Sequence, residues 1–375
     1  MTGLILNDDD GDLALLRDSV AGFAQRHDGP ATLRARRASG EDLDRASWAA
    51  MAEAGWLGVM LPEELGGAGL GHAEQSILCE ALGQALITEP LAQLSVLSGA
   101  LIAAAEPGAE RQRLAEGLMS GAAIVAPAWQ GADGGTGPIV ARSTPNGITL
   151  SGRISYVSAA QSATDFLVLA EENGQALLLS VPANSNGLKV AAHATLDGSQ
   201  LATLTLEQVT VPTQAVLSRA DAADAALEQA IVAARLAISA ELVGIGTRAI
   251  EDTIAYTKER VQFGRPIAGF QVVQHRLVDM WADAEFAAAS VSHAVEMQDE
   301  GESLERDLAV LAAKARAGDA AVTITRRALH LYGAMGFTDD CDIGLYMKRA
   351  VALNATLGQP ERLRLQFVAR ERAAA

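Results

Sequence analysis

Apolar and polar residues follow one another along this chain in two rhythms, and the rhythm changes twice. From residue 9 to about 117, alanine, leucine, glutamate and arginine dominate and strand-favouring residues are scattered, which predicts helices throughout. The segment LPEELGGAGLG, residues 61–71, interrupts that stretch with a proline and glycines and predicts a turn between two helices. Near Gly121 short β-prone runs take over: NGITLSGRISYVS, DFLVLAEENGQALLLSV and LATLTLEQVTV. Asn146-Gly147, Asn173-Gly174 and Asp197-Gly198 mark them off as hairpin or turn dipeptides, so a small all-β region of roughly 95 residues is expected.

From about Asp221 the helical rhythm returns and holds to the end. Leu227, Ile231, Ala234, Ile238, Leu242, Ile245 and Ala249 fall at three- and four-residue steps, predicting one apolar stripe on a helix of roughly eight turns. The expected class is α+β, multidomain and mainly α. Its parts are a helical domain over residues 1–118, a β domain over 119–217 and a helical bundle over 218–375.

Composition narrows the function classes. A chain of 375 residues, 49% hydrophobic and 20% charged, is long enough for two or three domains and supplies a large core. A net charge of −17 repels phosphate backbones and anionic lipid surfaces, so neither nucleic acid nor membrane is an expected partner. Cys79 and Cys341 lie far apart with no His or Cys at ligand spacing. Neither a disulfide framework nor a zinc site is expected, and both thiols should be buried. The opening MTGLILNDDDGD lacks the basic start and apolar core of a signal peptide, and no run reaches the roughly 18 apolar residues of a membrane span. A soluble, cytoplasmic protein is expected.

Three segments carry candidate chemistry. In ERVQFGRPIAGFQVVQ, residues 259–274, Arg260 follows a long helix, and Gly264, Pro266 and Gly269 break the pattern before it resumes. A guanidinium at such a junction suits a two-point contact with phosphate oxygens, and Gln262, Gln271 and Gln274 can add neutral hydrogen bonds. The same pattern also describes a solvated arginine beside an ordinary turn. In HLYGAMGF, residues 330–337, small residues let a ligand approach the backbone, or Gly333 simply ends a helix. In GRISYVS, residues 152–158, Tyr156 and Ser158 share parity with Ile154, giving a face for a flat aromatic ligand or for ordinary sheet packing.

The order and spacing of these segments resemble the flavin-dependent acyl-CoA dehydrogenases over nearly the whole chain. WAAMAEAGWLGVMLPEELGGAGL, residues 48–70, is similar to that family's N-terminal signature, GRISYVSAA to its strand motif, and RVQFGRPIAGFQVVQHRLVDM to its C-terminal motif; YGAMGF and the closing VARER match as well. The resemblance implies an N-terminal helical domain, a middle β-barrel-like domain and a C-terminal four-helix bundle. It implies FAD between the β domain and the bundle, an acyl-CoA substrate, an electron-transfer flavoprotein as acceptor, and a homo-oligomer or a hetero-oligomer with a related chain. By position, Arg260 and Gln262 would meet the adenosine-pyrophosphate part of a neighbouring subunit's cofactor, completed by Gln271, His330 and the backbone at Gly333 and Ala334. Tyr156, Val157 and Ser158 would line the flavin ring. Arg235 matches a helix arginine near the acyl-CoA.

The chain departs from the family where the chemistry needs a base. Removing the proton beside a thioester carbonyl while hydride leaves the neighbouring carbon requires a carboxylate in a dry pocket. Counting back from VARER, the usual glutamate falls at Gly358; counting back from QFG, the alternative position falls at Ala234. The segment APAWQGADGG, residues 126–135, also differs from the family's threonine-glutamate-proline loop. Three readings stand open. The chain is a dehydrogenase with a displaced acid, Glu361 or Glu241; or the flavin-holding subunit of a heteromeric dehydrogenase whose partner supplies the base; or a monooxygenase of the same fold.

Overall fold

The structure, a computed structural model, describes residues 3–300 and 303–374. It is mostly helical, at 58%, and both changes of rhythm are changes of secondary structure. Before the sheet come helices α1 (Asp12–Arg26), α2 (Gly29–Ser39), α3 (Arg45–Glu53), α4 (His72–Gln84), α5 (Ser98–Ala103) and α6 (Ala109–Met119). A π-helical turn, Ala92–Leu97, leads into α5. The strands are β1 (Val125–Ala128), β2 (Val140–Thr144), β3 (Gly147–Ser158), β4 (Asp165–Glu172), β5 (Gln175–Pro182), β6 (Leu188–Ala194), β7 (Gln200–Val211) and β8 (Val216–Arg219). Helix α7 (Ala220–Glu259) follows, then a small hairpin of β9 (Val261–Gln262) and β10 (Arg265–Pro266). The last helices are α8 (Gln271–Glu296), α9 (Leu304–Tyr332), α10 (Ile343–Ala355) and α11 (Pro360–Ala374).

Strands β6, β7, β3, β2, β4, β5 and β8 lie side by side in that order, with β1 against β4. Neighbours run antiparallel except β1 and β2, each parallel to β4. The predicted turns are where they were expected. Asn173 and Gly174, at φ 54° and 81°, close β4 onto β5 with Glu172 opposite Gln175, the paired positive φ values that a two-residue hairpin requires. Gly147 opens β3 opposite Thr144, and Asp197-Gly198 lies between β6 and β7.

The chain packs into two compact units. One comprises Arg34–Gly71 and Glu89–Ala234. Trp48, Trp56 and Phe166 are buried in it, and the Ser98 hydroxyl donates to the Val125 carbonyl at 2.8 Å, tying α5 to β1. Asp44 caps α3 by accepting from the Ala46 and Ser47 amides. Arg36 and Glu89 form a buried ion pair at 3.2 Å.

The other unit comprises Met1–Leu33, His72–Thr88 and Arg235–Ala375. Here α4 and α7 cross through a pair of glycines. A Cβ on Gly83 would stand 2.3 Å from the Glu241 carbonyl oxygen, and one on Gly244 would stand 2.0 Å from that of Glu80. Both distances are shorter than any side chain tolerates, so glycine alone permits this approach. Glu80 also anchors the N-terminal segment, accepting from the Leu4 amide at 2.8 Å and from Arg17 at 3.3 Å.

Two expectations need correction. Helix α7 is 40 residues long, about eleven turns, and from Ala230 to Thr247 it is buried almost all round instead of along one stripe. Alanine is the reason: its small side chain lets neighbours pack on every face. An 18-residue window of α7 is apolar enough to cross a membrane by composition, contrary to the count of apolar runs, yet 89% of that window is buried within the protein. Cys79 is buried, and burial pushes its thiol up to about 12, but Cys341 is only partly buried in the turn before α10.

Candidate active site

Helix α7 ends at Glu259, and the Arg260 amide closes its last turn by donating to the Tyr256 carbonyl at 2.8 Å. Phe263 and Gly264, at φ 51° and 78°, form the two-residue turn of the β9–β10 hairpin, with Gln262 opposite Arg265. The Ile267 amide then returns to the Arg260 carbonyl at 2.8 Å, fixing the hairpin against the helix end. Tyr256 stacks on Tyr332 with ring centroids 4.1 Å apart, and its hydroxyl donates to the Tyr332 carbonyl at 3.3 Å. This pair joins the C-terminal ends of α7 and α9. It brings Arg260 and the hairpin to the end of the bundle that carries His330, Gly333 and Ala334.

That end is open. Arg260, Gln262, Gln271, His330, Gly333 and Ala334 are all exposed. Gly333 ends α9 at φ 63°, and a Cβ there would meet nothing within 4 Å. Among the described residues the side chains of Arg260, Gln271 and His330 make no hydrogen bond or ion pair, while the Gln262 amide donates to its neighbour Val261 at 2.8 Å. A planar guanidinium, two amides, an imidazole and accessible backbone form a donor set suited to phosphate oxygens. The residues present therefore fit the pyrophosphate portion of FAD.

The strand predicted to face the flavin ring lies in the other unit and departs from simple alternation. A register shift falls between Ile154 and Val157, and Tyr156 adopts φ 61°. Tyr156 is consequently 49% exposed while Ile154 is fully buried, so the two do not share a face as parity suggested. Val157 and Ser158 are both buried. The segment after β1 folds into a tight loop, with the Gly131 amide donating to Gly135 at 2.8 Å, and the Tyr156 hydroxyl donates to its Ala132 carbonyl at 3.0 Å. The divergent APAWQGADGG segment is thus held on the predicted ring strand.

The two positions where the resemblance puts the base hold Gly358 and Ala234. Gly358 has φ 121°, and a Cβ there would come 2.6 Å from Leu363, so a glutamate at this turn would be strained and crowded. Arg235 donates to the Leu357 carbonyl at 2.9 Å and to Gln366 at 3.4 Å, holding this same turn. Glu241 is paired with Arg349 at 2.8 Å with both side chains nearly buried. Glu361 is exposed in the first turn of α11, where a carboxylate is favoured by the helix N-terminus. The two acids considered as displaced bases are thus committed to an ion pair and exposed to solvent, respectively.

Lys314, which no sequence argument singled out, is fully buried and donates to the Leu353 and Asn354 carbonyls at 3.0 and 3.3 Å. It reaches the carbonyls at the C-terminal end of α10, adding to the bond that Leu353 accepts from the Thr356 amide at 3.1 Å. Burial, with repulsion from Arg235 and partial relief from Asp319, lowers its pKa to about 7. A lysine depressed in the folded state costs stability in full below that pH, and the cost fades as pH rises toward its unfolded value. Lys314→Met should therefore lose least against the parent near about pH 6 and most near about pH 9. Melting temperatures across that range check this, and a constant difference would refute it.

Helices before and after a β sheet, with an open phosphate-type donor set where α7 and α9 end, are the arrangement that the resemblance to flavin-dependent acyl-CoA dehydrogenases implies. Family models confirm it: the acyl-CoA dehydrogenase N-terminal domain matches residues 11–122 and the C-terminal domain residues 224–371. Acyl-CoA dehydrogenase IpdE2 of Mycobacterium tuberculosis is 30% identical over 339 residues, 90% of each chain. The ChsE4-ChsE5 complex from Mycobacterium tuberculosis superimposes with a TM-score of 0.88 at 27% identity, over 99% of both chains. A glutaryl-CoA dehydrogenase from Mycobacterium smegmatis in complex with FADH2 shares the fold, with a TM-score of 0.88 at 20% identity over 98% of this chain and 95% of that one. The chain belongs to the acyl-CoA dehydrogenase family, an oxidoreductase family whose members bind FAD.

Proposed function

We propose that the chain takes part in the α,β-dehydrogenation of an acyl-CoA thioester with FAD as hydride acceptor, and that the carboxylate removing the α-proton comes from a partner chain. One observation carries this reading. Gly358 and Ala234 occupy the two positions where the resemblance puts the base, while the nearest alternative acids are Glu241, held by Arg349, and the exposed Glu361. A general base must be within hydrogen-bond reach of the proton it takes, and two helical turns from Ala234 to Glu241 is roughly 10 Å. The relative ChsE4-ChsE5, itself a complex, supports an assembly with a second chain.

FAD, when bound, supplies the electron sink for the β-hydride. This chain's residues bind and orient it. Arg260, Gln262, Gln271, His330 and the backbone at Gly333 and Ala334 would hold the phosphates, and Tyr156, Val157 and Ser158 would hold the ring. Arg235 would fix the turn at Leu357 and Gly358 beside the acyl group. Electrons would pass to an electron-transfer flavoprotein in the cytoplasm. A monooxygenase role has no counterpart among the relatives named above.

The test is anaerobic mixing of the purified yellow chain with a panel of acyl-CoAs, followed by flavin absorbance. The chain alone should not bleach, and co-purification with a related acid-bearing chain should confer bleaching. Glu241→Gln and Glu361→Gln should leave that bleaching unchanged. Full-rate bleaching by the chain alone, abolished in either variant, would return the base to this polypeptide.

A further inference from the structure

We propose that Asp42 is a positioning residue that sets the Tyr156–Val157–Ser158 segment and thereby the affinity for the flavin. The proposal rests on the FAD reading above. Asp42 lies in the loop between α2 and α3 and is 6% exposed. Its carboxylate does not pair with a cation in any contact described. It accepts instead from the Gln161 amide at 2.7 Å, the Ser162 amide at 3.3 Å and the Ser162 hydroxyl at 2.7 Å. Arg45, three residues on and the first of α3, donates to the Ser162 carbonyl at 3.3 Å. The loop and the start of α3 thus grip residues 161–162 from both the donor and the acceptor side.

Those residues follow the predicted ring strand after Ala159 and Ala160. Between Tyr156 and Gln161 the backbone passes through two left-handed residues, Tyr156 at φ 61° and Ala159 at φ 50°. Such conformations persist in residues with a Cβ only where the surroundings over-determine them. From the strand side, β7 supplies that restraint by pairing Ala202 with Val157 and Leu201 with Ser158. From the other side the restraint is the buried Asp42 carboxylate. Hydrogen bonds to a charged acceptor are short and directional, so they fix the turn in position as well as holding it. The same loop is anchored to β7 by the Gln200 amide, which donates to the Gly40 carbonyl. Asp42 therefore acts on a ligand held by Tyr156 and Ser158 through the backbone, without touching it.

The test compares Asp42→Ala, Asp42→Asn and Ser162→Ala with the parent full chain, reading the FAD dissociation constant, the visible flavin spectrum and the melting temperature. Val211→Ala serves as a control, since it opens a cavity at the far end of β7, opposite Ile148, away from the segment. Asp42→Ala should weaken FAD binding at least tenfold, about 1.4 kcal/mol, and alter the flavin band shape. Asp42→Asn should fall between it and the parent, and Ser162→Ala should weaken binding about threefold, about 0.7 kcal/mol. Val211→Ala should lower the melting temperature and leave affinity and spectrum unchanged. Parent-like affinity and spectrum in Asp42→Ala, or an equal loss of affinity in Val211→Ala, overturns the inference. Should Asp42→Ala not fold, parent-like values in both Asp42→Asn and Ser162→Ala overturn it equally. A parent chain that takes up no FAD overturns the functional reading itself.

Discussion

Replacing Arg349 by leucine is expected to destabilise the protein by about 3–5 kcal/mol, the largest effect of any single change considered. Arg349 and Glu241 are both nearly buried, and the guanidinium contacts one carboxylate oxygen through Nε and Nη2, each at 2.8 Å. Burying two charges is costly, so such a pair adds little net stability beside a well-packed apolar one. Removing one partner is far worse, because the other charge keeps its desolvation penalty and loses its counter-ion. Replacing both, as Arg349→Leu with Glu241→Leu, should recover much of the loss. Equilibrium denaturation of the two single variants and the double variant measures the coupling. Additive losses would show that the pair is not the unit the geometry indicates.

Arg260→Ala is expected to leave the fold intact and release the cofactor. Its side chain is exposed and makes no hydrogen bond or ion pair within the described residues, so little packing is lost. A charge-assisted contact to phosphate is worth about 1.5–3 kcal/mol, which corresponds to roughly ten- to hundredfold in FAD affinity. Arg260→Lys should recover only part of this, since an ammonium keeps the charge and loses the two-point fork. Flavin absorbance per polypeptide after dialysis reads the result. Full retention of FAD by the alanine variant would remove Arg260 from the site.

What could be read from the sequence was whatever local chemistry dictates. Asn173-Gly174 announced its hairpin because few other dipeptides adopt two positive φ values cheaply, and the apolar runs of β3, β4, β5 and β7 announced the sheet they form. Strand β6, LKVAAHA, is silent in the sequence because it is mostly exposed and carries no alternation for a buried face to impose. Tyr156 leaves the face that parity predicts because a bulge changes parity without changing composition. Arg260, Gln262 and Gly333 were legible as a group only through the family's spacing; the stacked tyrosines that bring their helix ends together are 76 residues apart. Arg349 and Glu241 are separated by 108 residues, so nothing local marks them as partners. Lys314 had one readable sign. It sits three residues after Leu311 and beside Ala315, on the apolar side of α9, where a solvated lysine is out of place. Asp42 gave no sign at all, since an aspartate before a helix reads as an ordinary loop residue.

The glycine crossing of α4 and α7 has a mechanical side. With main chain resting on main chain at Gly83 and Gly244, there is no cushion of rotatable side chains between the two helices to absorb displacement. Helix α4 grips the N-terminal segment through Glu80, and α7 grips the turn at Leu357 through Arg235. These elements form a single stiff strut inside their unit. Whatever yields in this unit as a ligand comes and goes is to be sought off that strut.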